Sequence, residues 1–422
     1  MSAIPPQASE LEAALRQAVM HHQAGRLPQA EDIYRRILQV QPDHPGTSNN
    51  LGIALRDQGK IDEALAVFRR VIAVAPDYAP AHSNLGNVLF ARGKLAEAED
   101  SYRRALVIRP DMPDALKNLG LVIVNRGRFV ESFPSFRRHA ELAFGTPEGI
   151  ARNRAAASPH KLRHDDEQRA YVSARNPGVA VPAFHIEEPA RMPGRAVNPD
   201  SSGGAIAARW EKSWPQIAVI DNLLTEEALE RLRQFCWGST VWQRSHPNGY
   251  VGAMPEHGFV CPLLAQIDEE LHSVYPEILR DYPLLKWWGF KYDSRMSGIN
   301  IHADFAAVNI NFWITPDDAN LDPESGGLVI WDTPAPIEWT FAQYNGAGQS
   351  VTEFLQQAGA RSITVPHRAN RAVIFDSDLF HKTDRIVFKE GYLNRRINIT
   401  LLYGERDKAV KTRAQRPAPI GT

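Results

Sequence analysis

The chain has 422 residues, which is too long for one ordinary hydrophobic core and indicates two or three domains. Lys and Arg total 48 and Asp and Glu total 49, so a net charge of -1 excludes a general attraction to nucleic acid or anionic membranes. Two cysteines are too few for a disulfide framework, and the sequence lacks a signal-peptide pattern and a membrane-length apolar stretch, so we expect a cytoplasmic protein.

A repeat with a period of 34 residues occupies the first third of the chain. In each copy a glycine is followed five positions later by a small residue, then by an aromatic residue, and in the first three copies by a proline. These positions are Gly25, Gly59, Gly93 and Gly127; Ala30, Ala64, Ala98 and Ser132; Tyr34, Phe68, Tyr102 and Phe136; and Pro42, Pro76 and Pro110. The glycine permits a tight turn between two helices, and the small residue lets them approach closely.

This pattern resembles the tetratricopeptide repeat (TPR) family over residues 10 to 143, and it predicts an α-solenoid of TPR helix pairs as the domain 1–145. The resemblance implies a concave groove that binds a protein or peptide partner. Asparagines are the candidate polar groups of this groove, with simple solvation as the alternative for half of them. They are Asn49, Asn50, Asn84, Asn87, Asn118 and Asn125.

Residues 146–209 lose the 34-residue register and are rich in Pro, Arg, Ala and Ser, which predicts a linker that is partly disordered. The histidines in this segment, His160, His164 and His185, lack metal-ligand spacing and receive no ligand role.

The region 210–408 begins with a short strand, a helix capped by Thr225 and a second helix over Leu263 to Leu279. From Leu285 onwards, short apolar or alternating runs between turn residues predict an all-β core. The predicted strands are KWWGFKYD, GINIHAD, VNINFWIT, GGLVIWD, SITVP, RAVIFDS and RINITLLY. They suit a sandwich or barrel with supporting helices, followed by a tail over residues 409–422.

Two histidines and one aspartate are candidate metal ligands. His302 and Asp304 are one residue apart, so in an extended segment their side chains leave on the same face. His381 follows the apolar strand RAVIFDS and is the candidate third ligand. Two imidazoles and one carboxylate form a facial triad that leaves three positions of octahedral Fe(II) open.

The order of these segments resembles the Fe(II)/2-oxoglutarate-dependent dioxygenase superfamily, in its prolyl-hydroxylase-like branch, over residues 215 to 405. The resemblance rests on HAD, VNINFWIT, the Gly326-Gly327 turn before LVIW, RAVIFDSDLFH and RRINITLLY. It implies a double-stranded β-helix of the jelly-roll or cupin type, with Fe(II) as the metal and 2-oxoglutarate and O2 as cosubstrates. The helices that begin at AVIDNLLTEEALERL resemble the usual lead-in to this fold.

The resemblance also implies a basic residue on the last strand that binds the distal carboxylate of 2-oxoglutarate, and Arg395 and Arg396 are the two candidates. Strand alternation places Arg396, Asn398 and Thr400 on one polar face, so we choose Arg396. Its distance of fifteen residues from His381 is longer than in many relatives, and the role of the intervening loop is open. We expect Arg395 to make no buried contact.

On the strand after Asp304, alternation places Asn309, Asn311 and Trp313 on one face. Asn311 and Trp313 are predicted to contact the cosubstrate or orient a metal ligand; the alternative is that the two asparagines face solvent. The predicted cosubstrate site consists of Arg396, Asn311, Trp313 and two polar residues of the last strand. These two are Asn398 and Thr400. Asp376 and Asp378 are interpreted as turn residues with no catalytic role.

The sequence therefore favours a hydroxylase acting on a protein or peptide that the TPR groove recruits. An oxygenase acting on a small metabolite, a TPR scaffold with an inactive β domain and a cupin-like metal enzyme without 2-oxoglutarate are the alternatives. Residues 332–360 interrupt the barrel with a predicted helix that covers the pocket, where Trp339 and Tyr344 either contact the substrate or fix the insert in place.

Overall fold

The computed structural model describes residues 8–199, 203–212, 214–280, 282–296, 298–345 and 349–406. The chain divides into two compact units, with the boundary between His139 and Ala140. The tail predicted over residues 409–422 lies outside the described residues.

The first unit is built from helix pairs. Its helices are α1 (Ala8–Gln23), α2 (Leu27–Val40), α3 (Pro45–Asp57), α4 (Ile61–Val74), α5 (Ala79–Ala91), α6 (Leu95–Ile108), α7 (Pro113–Asn125) and, after a 3-10 turn at Val130–Ser132, α8 (Phe133–Phe144), within which the boundary falls. The glycines predicted to join each pair have positive φ, from +72° at Gly25 to +77° at Gly59. The predicted helical solenoid of the N-terminal region is confirmed.

A second set of glycines lets aromatic rings pack directly on the first helix of a pair. A Cβ atom at Gly52 would lie 2.6 Å from the ring of Phe68, and one at Gly86 would lie 2.8 Å from the ring of Tyr102. Both rings are fully buried. Glycine at these positions is therefore required by close packing between the two helices of a pair.

The second unit contains eight helices in its described part, three of them between residues 146 and 212. They are α9 (Pro147–Ala156), α10 (Pro159–Arg175), α11 (Gly203–Lys212), α12 (Glu226–Gly238), α13 (Pro262–Val274), α14 (Pro276–Leu279), α15 (Phe341–Tyr344) and α16 (Gln349–Gln357). The structure differs here from the linker predicted over residues 146–209. This segment belongs to the second unit, whose boundary lies six residues before the predicted one.

The polar inner face of α10 explains why the sequence does not predict this helix. Its buried residues are Lys161, His164, Gln168 and Val172, which follow helical spacing but include only one apolar side chain. Gln168 donates through Nε2 to the carbonyl of Ser239 over 2.7 Å. Because polar side chains form the packed stripe, the sequence shows no hydrophobic period there.

Antiparallel strands form three sheets in the second unit. The strands are β1 (Ile217–Ile220), β2 (Arg244–His246), β3 (Tyr250–Ala253), β4 (Leu284–Tyr292), β5 (Arg295–Met296), β6 (Val308–Trp313), β7 (Leu328–Pro334), β8 (Ser362–Val365), β9 (Ala372–Asp376), β10 (Leu379–Thr383), β11 (Ile386–Val387) and β12 (Ile397–Tyr403). One sheet has the order β1-β9-β6-β12-β4-β3-β2, another β10-β7-β8, and the third pairs β11 with β5. A buried apolar cluster joins residues of the first two sheets, among them Trp313, Phe375 and Ile330.

Most predicted strands are present, with two differences that matter for the site. The segment GINIHAD is not a regular strand and forms one isolated bridge, between His302 and His381. The strand β10, which carries His381, was not predicted. Among the helices, the Thr225 side chain caps α12 as predicted, whereas the second predicted helix is divided into α13 and α14 at Pro276.

Candidate metal centre

Two segments that are distant in sequence bring the three predicted metal ligands together. The backbone N–H of His302 donates to the carbonyl of His381 over 3.0 Å, and the N–H of His381 donates to the carbonyl of His302 over 2.8 Å. The N–H of Asp304 donates to the carbonyl of Ser377 over 3.1 Å. These backbone bonds align the segment of Asp304 with the turn between β9 and β10.

The ligand atoms of the three side chains converge on one point. One nitrogen of each histidine and one oxygen of Asp304 all lie within 4.8 Å of one another. Asp304 Oδ2 is 3.4 Å from His381 Nε2, and the centroids of the two imidazole rings are 4.4 Å apart. Three ligands at these separations can occupy adjacent vertices around one ion.

The hydrogen bonds of the two imidazoles leave their Nε2 atoms available for a metal. His302 Nδ1 lies 2.9 Å from the carbonyl oxygen of Asn300, and His381 Nδ1 lies 3.0 Å from the carbonyl oxygen of Leu379. Because a carbonyl only accepts, each Nδ1 carries the proton and each Nε2 presents a lone pair. Backbone carbonyls commonly orient metal-binding histidines in this way.

Asn309 holds the carboxylate of Asp304. Its Nδ2 atom donates to Asp304 Oδ2 over 2.7 Å, and Asn309 is fully buried. Burial alone would raise the pKa of Asp304, but the adjacent imidazoles of His381 and His302 lower it below its ordinary value. Burial and His381 lower the pKa of His302. The site thus favours an anionic carboxylate and a neutral imidazole, the forms that bind metals.

A row of polar side chains continues from β6 across to β12. Asn311 is opposite Thr400, and Trp313 is opposite Asn398 in the strand register. Asn311 Nδ2 donates to Thr400 Oγ1 over 2.9 Å, and Asn398 Nδ2 is 3.4 Å from Asn311 Oδ1. These four side chains and that of Asn309 are buried, so the alternative that Asn309 and Asn311 face solvent is wrong.

Arg396 lies at the far end of this row and is fully buried. Its Nε donates to the carbonyl of Gly326 over 2.5 Å, and its Nη1 donates to Asn398 Oδ1 over 3.1 Å. The guanidinium lies 4.7 Å from the ring centroid of Tyr292 and 5.7 Å from that of Trp313. Burial lowers the pKa of Arg396. Among the described residues, none forms a salt bridge with Arg396.

Arg395 points away from this row and is itself buried. Its Nε lies 2.9 Å from Glu167 Oε2 on α10, and its Nη1 lies 3.3 Å from Asp293 Oδ1. The expectation that Arg395 makes no buried contact is therefore wrong. Residue 395 precedes β12, and its side chain connects the strand to the helix that the sequence did not predict.

Of the residues predicted to orient a metal ligand, neither Asn311 nor Trp313 contacts the triad. The contact belongs to Asn309, which shares their face and lies nearer to Asp304. The alternation that selected the other two also points to Asn309, but spacing alone could not rank the three.

Arg406 is a buried residue next to the site that the sequence gave no reason to single out. Its Nε donates to Asp378 Oδ1 over 2.6 Å, and its Nη2 donates to the carbonyl of Ala335 over 2.8 Å. Its guanidinium also lies 4.8 Å from the ring centroid of Tyr344. Arg406 therefore joins the turn before His381 to the insert 332–360.

The insert lies against the segment that carries His302 and Asp304. The N–H of Ala303 donates to the carbonyl of Tyr344 over 3.3 Å, and Asn345 Nδ2 donates to the carbonyl of Ala303 over 2.9 Å. Trp339 packs near Phe380, with 6.1 Å between ring centroids. These contacts fix Tyr344 and Trp339 within the fold, beside the triad.

Four of the predicted groove asparagines of the first unit form a connected row. Asn84 Nδ2 donates to Asn49 Oδ1 over 2.9 Å, and Asn118 Nδ2 donates to Asn87 Oδ1 over 2.8 Å. Asn87 Nδ2 lies 3.4 Å from Asn84 Oδ1. Asn125, in contrast, is exposed.

Comparisons with known proteins concern the N-terminal region. Two tetratricopeptide repeat models match residues 9–77 and 49–113. The first TPR of Spaghetti (RPAP3) bound to the HSP90 peptide SRMEEVD is 23% identical, with 28% of this chain and 95% of that chain covered and a TM-score of 0.27. MamA from Desulfovibrio magneticus RS-1 (41-end) is 22% identical, with 31% and 75% covered and a TM-score of 0.29. No curated protein matches the sequence.

The N-terminal region therefore contains TPR repeats, as the repeat spacing predicted. In the described part of the chain, no helix is both long enough and apolar enough to cross a membrane.

Proposed function

We propose that the second unit is a non-haem Fe(II)/2-oxoglutarate-dependent oxygenase with a double-stranded β-helix core. The observation that carries this proposal is the convergence of His302, Asp304 and His381 with both Nε2 lone pairs free for a metal. The two larger antiparallel sheets and the apolar cluster they share support the fold assignment.

The residues present fit an iron ion. Two neutral imidazoles and one carboxylate are the ligand set of Fe(II) oxygenases, and this set leaves positions open for a chelating cosubstrate and O2. Asn309 would keep the Asp304 carboxylate in its ligating orientation, while the carbonyls of Asn300 and Leu379 fix the two rings.

The polar row that ends at Arg396 fits 2-oxoglutarate. Arg396 supplies a buried positive charge for the distal carboxylate, and its planar guanidinium can bind both carboxylate oxygens. Asn311, Asn398 and Thr400 lie between Asn309 and Arg396 in the register of β6 and β12.

When iron and the cosubstrates are bound, 2-oxoglutarate and O2 are converted to succinate and CO2 while one oxygen atom enters a substrate C–H bond as a hydroxyl group. His302, Asp304 and His381 would hold the metal and Arg396 would orient the cosubstrate, and no side chain of the protein would be oxidised. Trp313 and Tyr344 are buried, and their side chains would restrict the entry of water near the site.

We propose a protein or peptide substrate, recruited by the TPR groove. The row of Asn49, Asn84, Asn87 and Asn118 supports this choice, because amide side chains can hydrogen-bond an extended peptide backbone. For an oxygenase acting on a small metabolite, the double variant Asn84→Ala/Asn118→Ala would leave KM for the true substrate unchanged. For a peptide substrate, we expect KM to rise while substrate-independent 2-oxoglutarate turnover stays the same.

Anaerobic titration of the Fe(II)-loaded protein with 2-oxoglutarate tests the oxygenase proposal. We expect a weak visible charge-transfer band that saturates at one 2-oxoglutarate per protein. Absence of the band in protein that binds one Fe(II) would favour a cupin-like enzyme without 2-oxoglutarate, and failure to bind Fe(II) would favour a TPR scaffold with an inactive β domain.

A further inference from the structure

Three polar nitrogens near Arg396 are buried without a hydrogen-bond partner among the described residues. They are Nε1 of Trp313 and both ring nitrogens of His367. Trp313 is fully buried, and His367 is 5% exposed. Leaving a buried donor or acceptor unsatisfied costs about 1 to 3 kcal/mol, so such a concentration indicates a polar ligand.

His367 is held beside the turn that Arg396 also contacts. Its N–H donates to the carbonyl of Ser325 over 3.1 Å, and its Cβ would lie 3.4 Å from a Cβ atom at Gly326. The carbonyl of Gly326 accepts from Arg396 Nε. The His367 ring centroid is 6.0 Å from that of Trp313, so both rings lie at the Arg396 end of the polar row.

Among the described residues, no side chain forms a hydrogen bond with these three nitrogens. The nearest carboxylate to His367 is Asp317, whose Oδ1 atom is 4.0 Å from His367 Nδ1, too far for a hydrogen bond. That oxygen already accepts from the N–H of Ala369 over 2.6 Å.

The charges at this end match one carboxylate. Burial and the nearby Arg396 lower the pKa of His367 to about 3, so His367 is neutral near pH 7 and can donate one N–H. Arg396 then supplies a single positive charge, and Trp313 and His367 supply neutral donors. A carboxylate offers about four lone-pair sites, enough for these groups together.

We infer that His367 and Trp313 bind, together with Arg396, the carboxylate of the cosubstrate that lies remote from the metal. This inference rests on the proposed function and adds to it a binding residue, His367, on the segment after β8, away from the segments that carry the three metal ligands. The neutral donors determine specificity, since they favour 2-oxo acids that carry a second carboxylate over those that do not.

The experiment compares two ligands in the full-length Fe(II) protein under anaerobic conditions, with dissociation constants measured by calorimetry. 2-Oxoglutarate has the second carboxylate, whereas 2-oxopentanoate has a methyl group in its place and the same metal-chelating end. The variants are His367→Phe and Trp313→Phe, which keep an aromatic ring and remove the N–H, and His367→Gln, which keeps a donor. The matched control is His164→Phe, because His164 is another buried histidine and lies on α10.

For His367→Phe we expect the Kd of 2-oxoglutarate to rise about tenfold to a hundredfold, as for a lost hydrogen bond to a charged group. The Kd of 2-oxopentanoate should change less than about twofold, because that ligand makes no such bond. Trp313→Phe should show the same selective loss, and His367→Gln should recover most of the affinity. His164→Phe should leave both constants unchanged.

Equal weakening of both ligands, or no weakening of either, would overturn the inference while leaving the proposed oxygenase in place. If His367→Phe does not fold, Trp313→Phe decides the question by the same ratio of constants. Failure of the wild-type protein to bind either 2-oxo acid would overturn the proposed function and the inference with it.

Discussion

The first unit is held together by contacts between sequence neighbours, whereas the second joins residues that are far apart. Gly86 and Tyr102, whose contact fixes a helix pair, belong to one repeat. His302 and His381 are far apart in the sequence and exchange backbone hydrogen bonds, and Arg395 contacts Glu167 at a separation of 228 residues. Damage in the first unit should therefore spread through adjacent repeats, while one change in the second should disable a site assembled from several segments.

The two units can be monitored separately. All nine tryptophans lie between residues 210 and 339, so tryptophan fluorescence reports only the second unit. Far-ultraviolet circular dichroism reports the helices of both units, so a change in this signal without a change in tryptophan fluorescence reports the first unit.

The largest expected effect follows from removing one ligand of the triad. His381→Ala should abolish stoichiometric Fe(II) binding and 2-oxoglutarate turnover, because two remaining ligands cannot define the site. The helical signal should stay the same, since the first unit does not depend on the metal. Metal analysis and a succinate assay measure the outcome, with His160→Ala as control. Full retention of iron and turnover by His381→Ala would refute the triad.

The next largest effect separates the two neighbouring arginines. Arg396→Ala should weaken 2-oxoglutarate binding about thirtyfold to a thousandfold, because it removes a buried charge that binds a carboxylate. Arg395→Ala should change that affinity less than about threefold but destabilise the second unit by about 1 to 3 kcal/mol, because Glu167 and Asp293 lose their buried partner. Calorimetry and urea unfolding followed by fluorescence measure the two effects. The opposite pattern would place Arg395 in the site.

A smaller effect is expected for packing within the repeats. Gly86→Val should destabilise the first unit by about 2 to 3 kcal/mol, because the new side chain would collide with the buried ring of Tyr102. Gly93→Ala is the control: nothing lies within 4 Å of its added Cβ, and only the backbone at φ +73° opposes it, by about 1 kcal/mol. Thermal unfolding followed by circular dichroism distinguishes them. Equal losses would show that close packing at Gly86 is unimportant.

The smallest expected effect is on the pH dependence of stability. It involves His164 on α10, the helix that the sequence does not predict. Burial and the charge of Lys291 lower the pKa of His164 to about 3 in the folded state. The unfolded state therefore binds an extra proton between that value and about pH 6.5, and stability falls as the pH is lowered through this range. We expect His164→Gln to reduce the loss between about pH 7 and pH 5 by about 1 to 2 kcal/mol.

Urea unfolding at several pH values, followed by fluorescence, measures this effect. Parallel pH profiles for the wild-type protein and His164→Gln would contradict the assignment of a buried, neutral His164.

Residue spacing in the sequence predicted the repeated helix pairs of the first unit and the two faces of strands in the second unit. The glycine period located the helix pairs, and alternation along RRINITLLY separated Arg396 from Arg395 because a strand has two distinct faces. The same rule predicted that Asn311 and Trp313 share one face of their strand, and both side chains are buried. These features depend on local geometry, which any window of the sequence contains.

The features that residue spacing could not predict depend on partners that are distant in the sequence. The helix α10 buries Lys161, His164 and Gln168, and these polar residues resemble a solvated surface until their partners are known. Asn309 and Asn311 are equivalent in the strand pattern, and only the position of Asp304 distinguishes them. Arg406 follows the last strand, and its bond to Asp378 crosses 28 residues of chain.

The central claim is that the triad and Arg396 together support 2-oxoglutarate-dependent oxidation. The most direct measurement is the stoichiometry of O2 consumption and succinate formation by the full-length Fe(II)-loaded protein with 2-oxoglutarate. We predict one succinate for each O2 consumed, with formation lost on removal of Fe(II) and in Asp304→Ala. Iron-loaded protein that forms no succinate, or succinate formation that persists in Asp304→Ala, would contradict the account.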